Sequence, residues 1–589
     1  MRTAFGVRMD PIKARVRSCR CAANKSGQTP RRPLLQIFES RGWRAFQMLF
    51  ATVASTSLMS CRDNTKPHAA ATDAFEILTP PAPATPRING AKIFGVRPAS
   101  PVLFQIAATG QRPLVFAASG LPTGLNLDST TGRITGVLHE GGRYPITLHA
   151  SNSAGTTQRI LTIVVGQEIA LTPPMGWNSW NAWGGKVSQE KVLAAARAMV
   201  SSGLRDHGWS YINVDDGWQG VRGGPFNAIQ GNRKFPDMQR LADEVHELGL
   251  KFGIYSSPWR TTFGWHIGSS ADHADGTHDW INAGQHNDIF QYLVPEYRSW
   301  LPGWAWLNPL VERGRKRAQK RFTEGMRTFG KFSFVEQDVR QWAAWGVDYL
   351  KYDWVPIDVP TATTMAEQLR KAPRDVVYTL SNNARRTVAS DLSQVTNAWR
   401  TTIDMQDTWE SMSEIGFAQD EWAPFQRPGH YNDPDMLVLG RVMFGGPGPS
   451  RLTADEQYTH MSLWCLLAGP LLIGADLDHL DAFTLGLLTN NEVLDVHQDV
   501  LCKQATSVRR NGDSVVYAKA LEDGSWAVGL FNRGEKPATV RVRWSDLQLT
   551  GAQIVRDLWR QQDLGTFADH FETAVPRHGV RLVRIRAAQ

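Results

Sequence analysis

The 589-residue sequence predicts an α/β protein built on a (β/α)₈ barrel, with a small β-sandwich before the barrel and an antiparallel β-sandwich after it. Three observations predict this architecture. Eight strand-like runs alternate with helical stretches across 169–506, short β-branched runs separated by turn residues occupy 88–168, and apolar and polar residues alternate through 507–589. Strand–helix alternation indicates a parallel sheet, and period-two alternation indicates antiparallel strands.

The first 61 residues are interpreted as a leader. An apolar run at 48–60 follows Arg41 and Arg44; it is too short to span a bilayer and is typical of the core of a signal peptide. The run ends in LMSC, which resembles a bacterial lipobox and makes Cys61 the candidate lipidated residue. We therefore expect export to the bacterial periplasm or outer membrane, with membrane attachment through Cys61; plain signal cleavage is the alternative.

The net charge of +8 does not indicate a nucleic-acid partner. Residues 1–62 carry twelve Lys and Arg against two acids, so the rest of the chain is near neutral. Neither a basic patch with interleaved aromatic residues nor a glycine-rich phosphate loop is present in the sequence.

Next comes a segment rich in Pro, Ala and Thr, 62–87, which predicts an extended linker. The module at 88–168 contains GLPTGLNLDSTTGRITG and GGRYPITLHASNSAG, which resemble immunoglobulin-like (Ig-like) modules of bacterial surface proteins. Such a module either binds a glycan or acts as a spacer, and we favour the spacer.

Within 169–506, the predicted strands are MGWNSW, YINVDD, KFGIYSS, VDYLKYD, VVYTLS, AWRTTID, HYNDPDM and PLLIGAD. After the first strand, Ser188 is expected to cap a helix, because apolar residues follow it at helical spacing. Acidic and aromatic residues fall at the carboxyl ends of the runs, where functional groups of such barrels lie.

One connection is unusually long. The segment 256–332 follows the third predicted strand and contains six tryptophans, and a connection of this length at the carboxyl end is usually functional. The six are Trp259, Trp265, Trp280, Trp300, Trp304 and Trp306. Four polar residues in this segment could hold a metal, but their spacing matches no known ligand pattern, and loop polarity explains them better. These four are Asp272, His273, Asp275 and His278.

Of the five cysteines, only Cys465 and Cys502 lie beyond the leader. Disulfides are therefore not the framework of the fold, although a single bridge between these two cysteines remains open.

Hydrolysis of a glycoside needs two carboxyl groups, one to protonate the leaving oxygen and one to attack the anomeric carbon or activate water. Six aspartates at four predicted strand ends could supply them: Asp215, Asp216, Asp353, Asp404, Asp433 and Asp435. For Asp433 a structural role is favoured.

These strand ends carry the motifs PPMGWNSWNAW, YINVDDGW, KFGIY, WGVDYLKYD, WRTTIDMQDTW and YNDPDMLVLG, which in order and spacing resemble glycoside hydrolase family 27. The resemblance implies a retaining (β/α)₈ TIM-barrel enzyme that hydrolyses terminal α-galactosides and needs no metal or cofactor. It implies that Asp353 is the nucleophile and Asp404 the general acid/base. By the same resemblance the sugar is bound by Trp180, Asp215, Asp216, Tyr255, Lys351, Ser381, Arg400, Asp435 and Met436. Lys351 would also favour ionisation of Asp353.

The loop after the fifth strand departs from the family pattern. A simple alignment puts Ser381 and Ala384 where the 2-substituent of the sugar is recognised, and these small residues resemble the arrangement in α-N-acetylgalactosaminidases. That activity is the first alternative to α-galactosidase. β-L-Arabinopyranosidase and a non-catalytic glycan-binding lipoprotein follow, and the sequence does not determine the oligomeric state.

Overall fold

The computed structural model describes residues 75–278, 327–442 and 448–588. The leader with Cys61, the first half of the predicted linker and four of the six tryptophans of the long connection lie outside these residues. Across the three ranges, no helix is both long and apolar enough to cross a membrane.

Eight parallel strands form the central sheet, which confirms the predicted barrel. In chain order they are Met175–Asn178, Tyr211–Asn213, Lys251–Ser256, Tyr349–Asp353, Val377–Ser381, Ala398–Arg400, Tyr431–Asp433 and Leu471–Ile473. Each strand pairs with its successor in the chain, except that the seventh and eighth stand at the two edges of the sheet. A parallel bridge from Leu437 to Ile473 joins these edges and closes the ring.

Helices follow each barrel strand, as the predicted alternation requires. They span Trp180–Trp183, Gln189–Ser201, Met238–Glu247, Val335–Trp345, Val359–Lys371, Ala389–Val395, Trp409–Gly416, Ala454–Leu467, Ala482–Leu488 and Asn491–His497. Ser188 caps the second of these as predicted, because its side chain accepts a hydrogen bond from Lys191 N.

The amino-terminal module is a β-sandwich. Its strands are Arg87–Ile88, Ile93–Val96, Pro101–Gln105, Ala108–Thr109, Val115–Ser119, Leu125–Leu127, Arg133–Val137, Gly142–Asn152 and Gly155–Val165. They form sheets of four, three and two strands around one apolar core. The long hairpin that turns at 153–154 has its buried side chains on one face, as expected of strands packed on one side.

This module rests against the amino-terminal end of the barrel. Arg97 lies 2.6 Å from the carboxylate of Asp375, which precedes the fifth barrel strand, and its guanidinium also donates to the carbonyl oxygens of Arg370, Ala372 and Arg374. Residues that precede other barrel strands are contacted too, since Asn89 donates to the carbonyl of Asp206. The module therefore covers the end of the barrel opposite to the carboxyl ends of the strands.

The carboxyl-terminal region is a second sandwich, as predicted, with sheets of six and two strands. Its strands are Thr506–Asn511, Ser514–Ala520, Trp526–Asn532, Ala538–Arg543, Gln553–Asp557, Gln562–Phe567, His570–Val575 and Val580–Ala587. It packs on the helix Ala454–Leu467, which is buried on nearly all sides between barrel and sandwich.

Cys465 and Cys502 are both buried and both free thiols, so the bridge left open by the sequence is not formed. The end of the predicted linker also makes tertiary contacts. The ring of Phe75 packs on Phe483 with centroids 4.9 Å apart, and Leu78 N donates to the hydroxyl of Tyr458.

Candidate active site

A cavity of about 250 Å³ opens at the carboxyl end of the barrel strands. At ~30 Å³ per water molecule, this space equals that of about eight waters, enough for a single sugar ring. It is lined by Trp180, Asn181, Asp215, Asp216, Tyr255, Phe263, Lys351, Asp353, Ser381, Asn382, Asp404, Asp435 and Met436. Of the eleven residues predicted to catalyse the reaction or bind the sugar by resemblance, Arg400 alone does not line the cavity, and it contacts two of the carboxylates that do.

Asp353 is the last residue of the fourth strand and is almost fully buried. Tyr255 donates its hydroxyl hydrogen to Asp353 Oδ2 over 2.8 Å, and the side-chain amide of Asn382 donates to Oδ1. Burial raises the pKa of Asp353 to about 7, although Lys351 and Tyr255 act to lower it. Lys351 thus favours ionisation of Asp353, as expected, but its effect on the pKa is smaller than that of burial.

Lys351 also forms an ion pair with a second carboxylate of the cavity. Its ammonium group lies 2.8 Å from Asp215 Oδ2. Burial lowers the pKa of Lys351, but Asp215 and Asp353 raise it further, so the group stays cationic. Asp215 also accepts hydrogen bonds from Asn178 Nδ2 and from the backbone N–H of Asp216.

The neighbouring carboxylate, Asp216, faces the start of the long connection. It accepts a hydrogen bond from the hydroxyl of Thr262 over 2.8 Å and one from Gly264 N over 2.5 Å, and His266 Nδ1 lies 3.2 Å away. Phe263, between the two donors, lines the cavity. The sequence did not single out these loop residues, because neither periodicity nor a motif signals which way a long loop folds.

Asp404 lies four residues beyond the end of the sixth strand, and its side chain is 61% exposed at the mouth of the cavity. The buried guanidinium of Arg400 lies 3.2 Å from Asp404 and 2.8 Å from Asp435. Burial raises the pKa of Asp404, but Arg400 and Lys351 outweigh it and hold that pKa below its ordinary value. For Asp435 burial dominates and raises the pKa to about 6.

The residue Asp435 also fixes the chain that carries Asp404. One carboxylate oxygen accepts from the backbone N–H of Met405 and the other from Met436 N, each over 2.7 Å. Its own φ of 98° is strained for a residue with a side chain, which is common at functional sites. Asp433 is buried and accepts from Asp435 N, in keeping with a structural role.

On the fifth strand the structure separates the two residues aligned by sequence. Ser381 lies opposite Asp353 in the strand register and lines the cavity. Ala384 packs in the apolar core of the barrel and is not among the lining residues. Its place at the cavity is taken by Asn382, which the sequence reasoning missed and whose φ of 69° turns the chain toward Asp353.

Known proteins with this architecture are similar to the chain in sequence. A family model described as "Alpha galactosidase A" matches residues 172–281 and 320–499. Alpha-galactosidase 2 of Arabidopsis thaliana is 32% identical over 431 residues, which are 71% of this chain and 91% of the plant protein. The chain belongs to glycoside hydrolase family 27, the alpha-galactosidase family. A bacterial family member, Alpha-galactosidase A of Cellvibrio japonicus, is 30% identical and covers 71% of this chain and 93% of its own.

Solved structures of family 27 extend the likeness. A crystal structure of a "putative alpha-galactosidase" from Bacteroides fragilis is 31% identical, with a TM-score of 0.71 and coverage of 86% of this chain and 98% of that one. A β-L-arabinopyranosidase from Geobacillus stearothermophilus is 28% identical, with a TM-score of 0.56 and coverage of 71% and 98%.

The flanking sandwiches match models of their own. Residues 511–585 match an alpha-galactosidase C-terminal beta sandwich domain, and 85–166 match a "Putative Ig domain". The stretch 282–319, which the family 27 model skips, lies inside the long connection 256–332. The loop around Thr262 belongs to the part that the family model matches.

Two of the four polar residues considered as metal ligands contact each other, and one of them also contacts an arginine. Arg260 lies 2.7 Å from Asp272, and His278 Nδ1 lies 3.6 Å from the same carboxylate. Within the part of the chain that the structure describes, His, Cys, Asp and Glu side chains form no group of three or more suited to hold a metal.

Proposed function

We propose that this chain is a retaining exo-α-galactosidase, which removes terminal α-D-galactosyl residues from oligo- or polysaccharides. The observation that carries the proposal is the meeting of Asp353 and Asp404 in one sugar-sized cavity with a set of hydroxyl-binding acids. A retaining enzyme needs one carboxylate as nucleophile and one carboxylic acid as proton donor. Asp353 is buried and Asp404 is exposed, so the two differ sharply in surroundings.

In the first step Asp353 attacks the anomeric carbon as Asp404 gives its proton to the leaving glycosidic oxygen. The bond to the aglycone breaks, and a bond from the Asp353 carboxylate to the sugar forms. In the second step Asp404 takes a proton from water, the oxygen of that water attacks the anomeric carbon, and the ester to Asp353 breaks. Galactose leaves with its original anomeric configuration, and both carboxyl groups return to their starting protonation.

Sugar binding follows from the remaining groups. Asp215 and Asp216 would accept hydrogen bonds from the 4- and 6-hydroxyls, and Lys351 and Arg400 would donate to neighbouring sugar oxygens. Trp180 and Tyr255 would form the walls. Asp435 and Met436 would lie near the 2-position.

The second candidate is α-N-acetylgalactosaminidase. The observation that favours it is the small side chain of Ser381 at the cavity wall opposite Asp353. Ala384 no longer supports it, because this residue lies in the barrel core.

The deciding experiment measures initial rates with p-nitrophenyl α-D-galactopyranoside and with its 2-acetamido-2-deoxy analogue, using the wild-type chain and Asp353→Asn. Turnover of the galactoside that Asp353→Asn abolishes supports the proposal. Turnover of the acetamido sugar alone would replace it by the second candidate. If neither is cleaved while galactose still raises the melting temperature, a glycan-binding protein is the better description. Cleavage of p-nitrophenyl β-L-arabinopyranoside would favour the pentose instead.

We further propose that the chain is exported and anchored through lipidated Cys61, on the strength of the apolar segment at 48–60 and the LMSC sequence. Mass spectrometry of the protein from a bacterial host should find two or three acyl chains on Cys61. An unmodified amino terminus at a nearby residue would show plain signal cleavage instead.

A further inference from the structure

The loop that leaves the third barrel strand turns back onto a carboxylate of the cavity. Thr262 is completely buried, and its hydroxyl donates to Asp216 Oδ1 over 2.8 Å. Two residues later, Gly264 N donates to the other oxygen, Oδ2. A carboxylate has about four acceptor positions, and His266 Nδ1 also lies 3.2 Å from Asp216 Oδ1, so these neighbours leave Asp216 one or two positions for other partners.

The loop itself is closed by hydrogen bonds. Thr262 N donates to the carbonyl of His266, and His266 N donates to the hydroxyl oxygen of Thr262 over 2.9 Å. The same hydroxyl thus accepts from the loop and donates to Asp216, which sets the direction of its hydrogen. Trp265, which lies between Thr262 and His266 in the chain, has a φ of 67°. A bulky residue keeps this conformation only when its surroundings impose it.

A cation supports the outer side of this loop. The guanidinium of Arg327 lies 4.6 Å from the ring centre of Phe263 and 4.0 Å from that of Trp265, and it donates to the carbonyl of Phe263. Phe263 is thereby held with its ring at the cavity. The loop presents an apolar wall beside a carboxylate whose orientation it also fixes.

The close approach depends on a glycine. A Cβ atom added to Gly264 would lie 2.7 Å from Asp216 Oδ2 and 2.9 Å from its carboxyl carbon. Both distances are below normal contact, so any side chain at this position would push the carboxylate aside.

We propose that Thr262 is a positioning residue for Asp216, and that the loop 262–266 is a specificity element of the sugar pocket. Its ligand is a pyranose that offers hydroxyl hydrogens to the remaining acceptor positions of Asp216 and a C–H face to Phe263. This inference rests on the proposed function for the identity of the sugar, but not for the anchoring of the loop.

Two substitutions at one position test the role. Thr262→Val keeps the shape of the side chain and removes the hydroxyl, whereas Thr262→Ser keeps the hydroxyl. With p-nitrophenyl α-D-galactopyranoside we expect Thr262→Val to raise KM at least tenfold, because Asp216 loses its fixed orientation. Thr262→Ser should restore KM to within threefold of the wild type. A merely structural fault would reduce the active fraction, which lowers kcat and leaves KM unchanged.

Gly264→Ala is an independent second variant and should raise KM by a similar factor. Its backbone can accept alanine, so the effect would come from the contact with Asp216. Unchanged KM in both Thr262→Val and Gly264→Ala would overturn the proposal.

Hydrogen exchange gives a readout that needs no substrate. Exchange is measured on the whole protein and read from the proteolytic peptide that covers 260–268. Relative to the wild type, Thr262→Val should speed exchange of the Gly264 and His266 amides at least tenfold, and Thr262→Ser less than threefold. Wild-type exchange in Thr262→Val would overturn the anchoring whether or not the chain cleaves galactosides. If the wild type proves inactive while exchange behaves as expected, the proposed function fails and the anchoring of the loop on Asp216 stands.

Discussion

Two aspartates that flank one barrel strand are buried almost equally, at 7% exposure for Asp348 and 6% for Asp353, yet they differ sharply. Asp348 precedes the fourth strand. Arg374 donates to one of its oxygens over 2.5 Å, and the other lies 2.7 Å from His246 Nε2 and accepts from Phe252 N. Although burial acts to raise it, these partners lower the pKa of Asp348 to about 2. At the other end of the same strand, burial raises the pKa of Asp353 to about 7.

The difference between these two aspartates shows that the two ends of the barrel have different roles. At the amino-terminal end, beneath the Ig-like module, charged groups are neutralised by other protein groups, so they contribute to stability. At the carboxyl end, several carboxylates are buried close to one another, and for Asp353 and Asp435 burial outweighs the groups that lower the pKa. This costs stability but suits the carboxylates to receive a ligand. This division agrees with the general behaviour of such barrels, whose catalytic residues gather at the carboxyl face.

The largest expected effect on stability comes from Asp348→Asn. The variant leaves Arg374 and His246 without their anion, and we expect unfolding free energy to fall by about 2–4 kcal/mol at pH 7. Because the folded pKa lies below the unfolded one, the contribution of Asp348 is present above about pH 4 and is lost as the pH falls toward 2. Urea denaturation at pH 7 and pH 3 measures both points.

In contrast to its effect on stability, Asp348→Asn should have little effect on activity. The folded variant should keep kcat within threefold of wild type, because Asp348 lies at the end of the barrel away from the cavity. A tenfold loss of kcat without loss of stability would contradict the division between the two ends.

The opposite change, Asp353→Asn, should stabilise the protein while it abolishes activity. The unfolded carboxyl ionises near pH 4 and the folded one near pH 7, so the folded state binds more protons between these values. Wild-type stability therefore falls across this window as the pH rises, and asparagine removes that fall. We expect a gain near zero at pH 4 that grows to about 1–3 kcal/mol above pH 7. A variant less stable than wild type at pH 8 would contradict this expectation.

The smallest expected effect is in the pH profile. The reactive form carries the single proton of the pair Asp353 and Asp404 on Asp404, although the pKa directions place it on Asp353 in the free protein. Because the reaction needs this proton, kcat/KM should fall above about pH 7, where the pair loses it. Asn382→Ala removes a donor to the Asp353 carboxylate and should move this alkaline limb to higher pH, by about half a unit, with a lower kcat. Asn383→Ala, at the adjacent residue, which does not line the cavity, is the control. An alkaline limb that stays in place in Asn382→Ala would remove Asn382 from the proposed support of the nucleophile.

The sequence predicted those parts of the fold and site that have local signals. Strand runs ending in acids located Asp353 and Asp215, because parallel strands bring their carboxyl ends together whatever lies between them. The contact of Thr262 with Asp216 was beyond reach, since it depends on how one loop folds. Ala384 was misjudged and Asn382 missed for a related reason, because the path of the loop after the fifth strand, where Asn382 has a φ of 69°, has no signal in the sequence. The packing of the Ig-like module on the barrel includes the contact of Arg97 with Asp375. These residues are 278 positions apart in the chain, so no local pattern in the sequence predicts their contact.

The packing of the amino-terminal segment has a mechanical consequence. Tension applied to the chain ahead of residue 75 would first load the contacts of Phe75 and Leu78 with the barrel helices. Beyond them, the ion pair of Arg97 with Asp375 would carry force into the amino-terminal rim of the barrel. These contacts do not involve the carboxyl ends of the barrel strands, where the sugar pocket lies. A molecule held by its amino-terminal segment could therefore resist shear while the pocket keeps its shape.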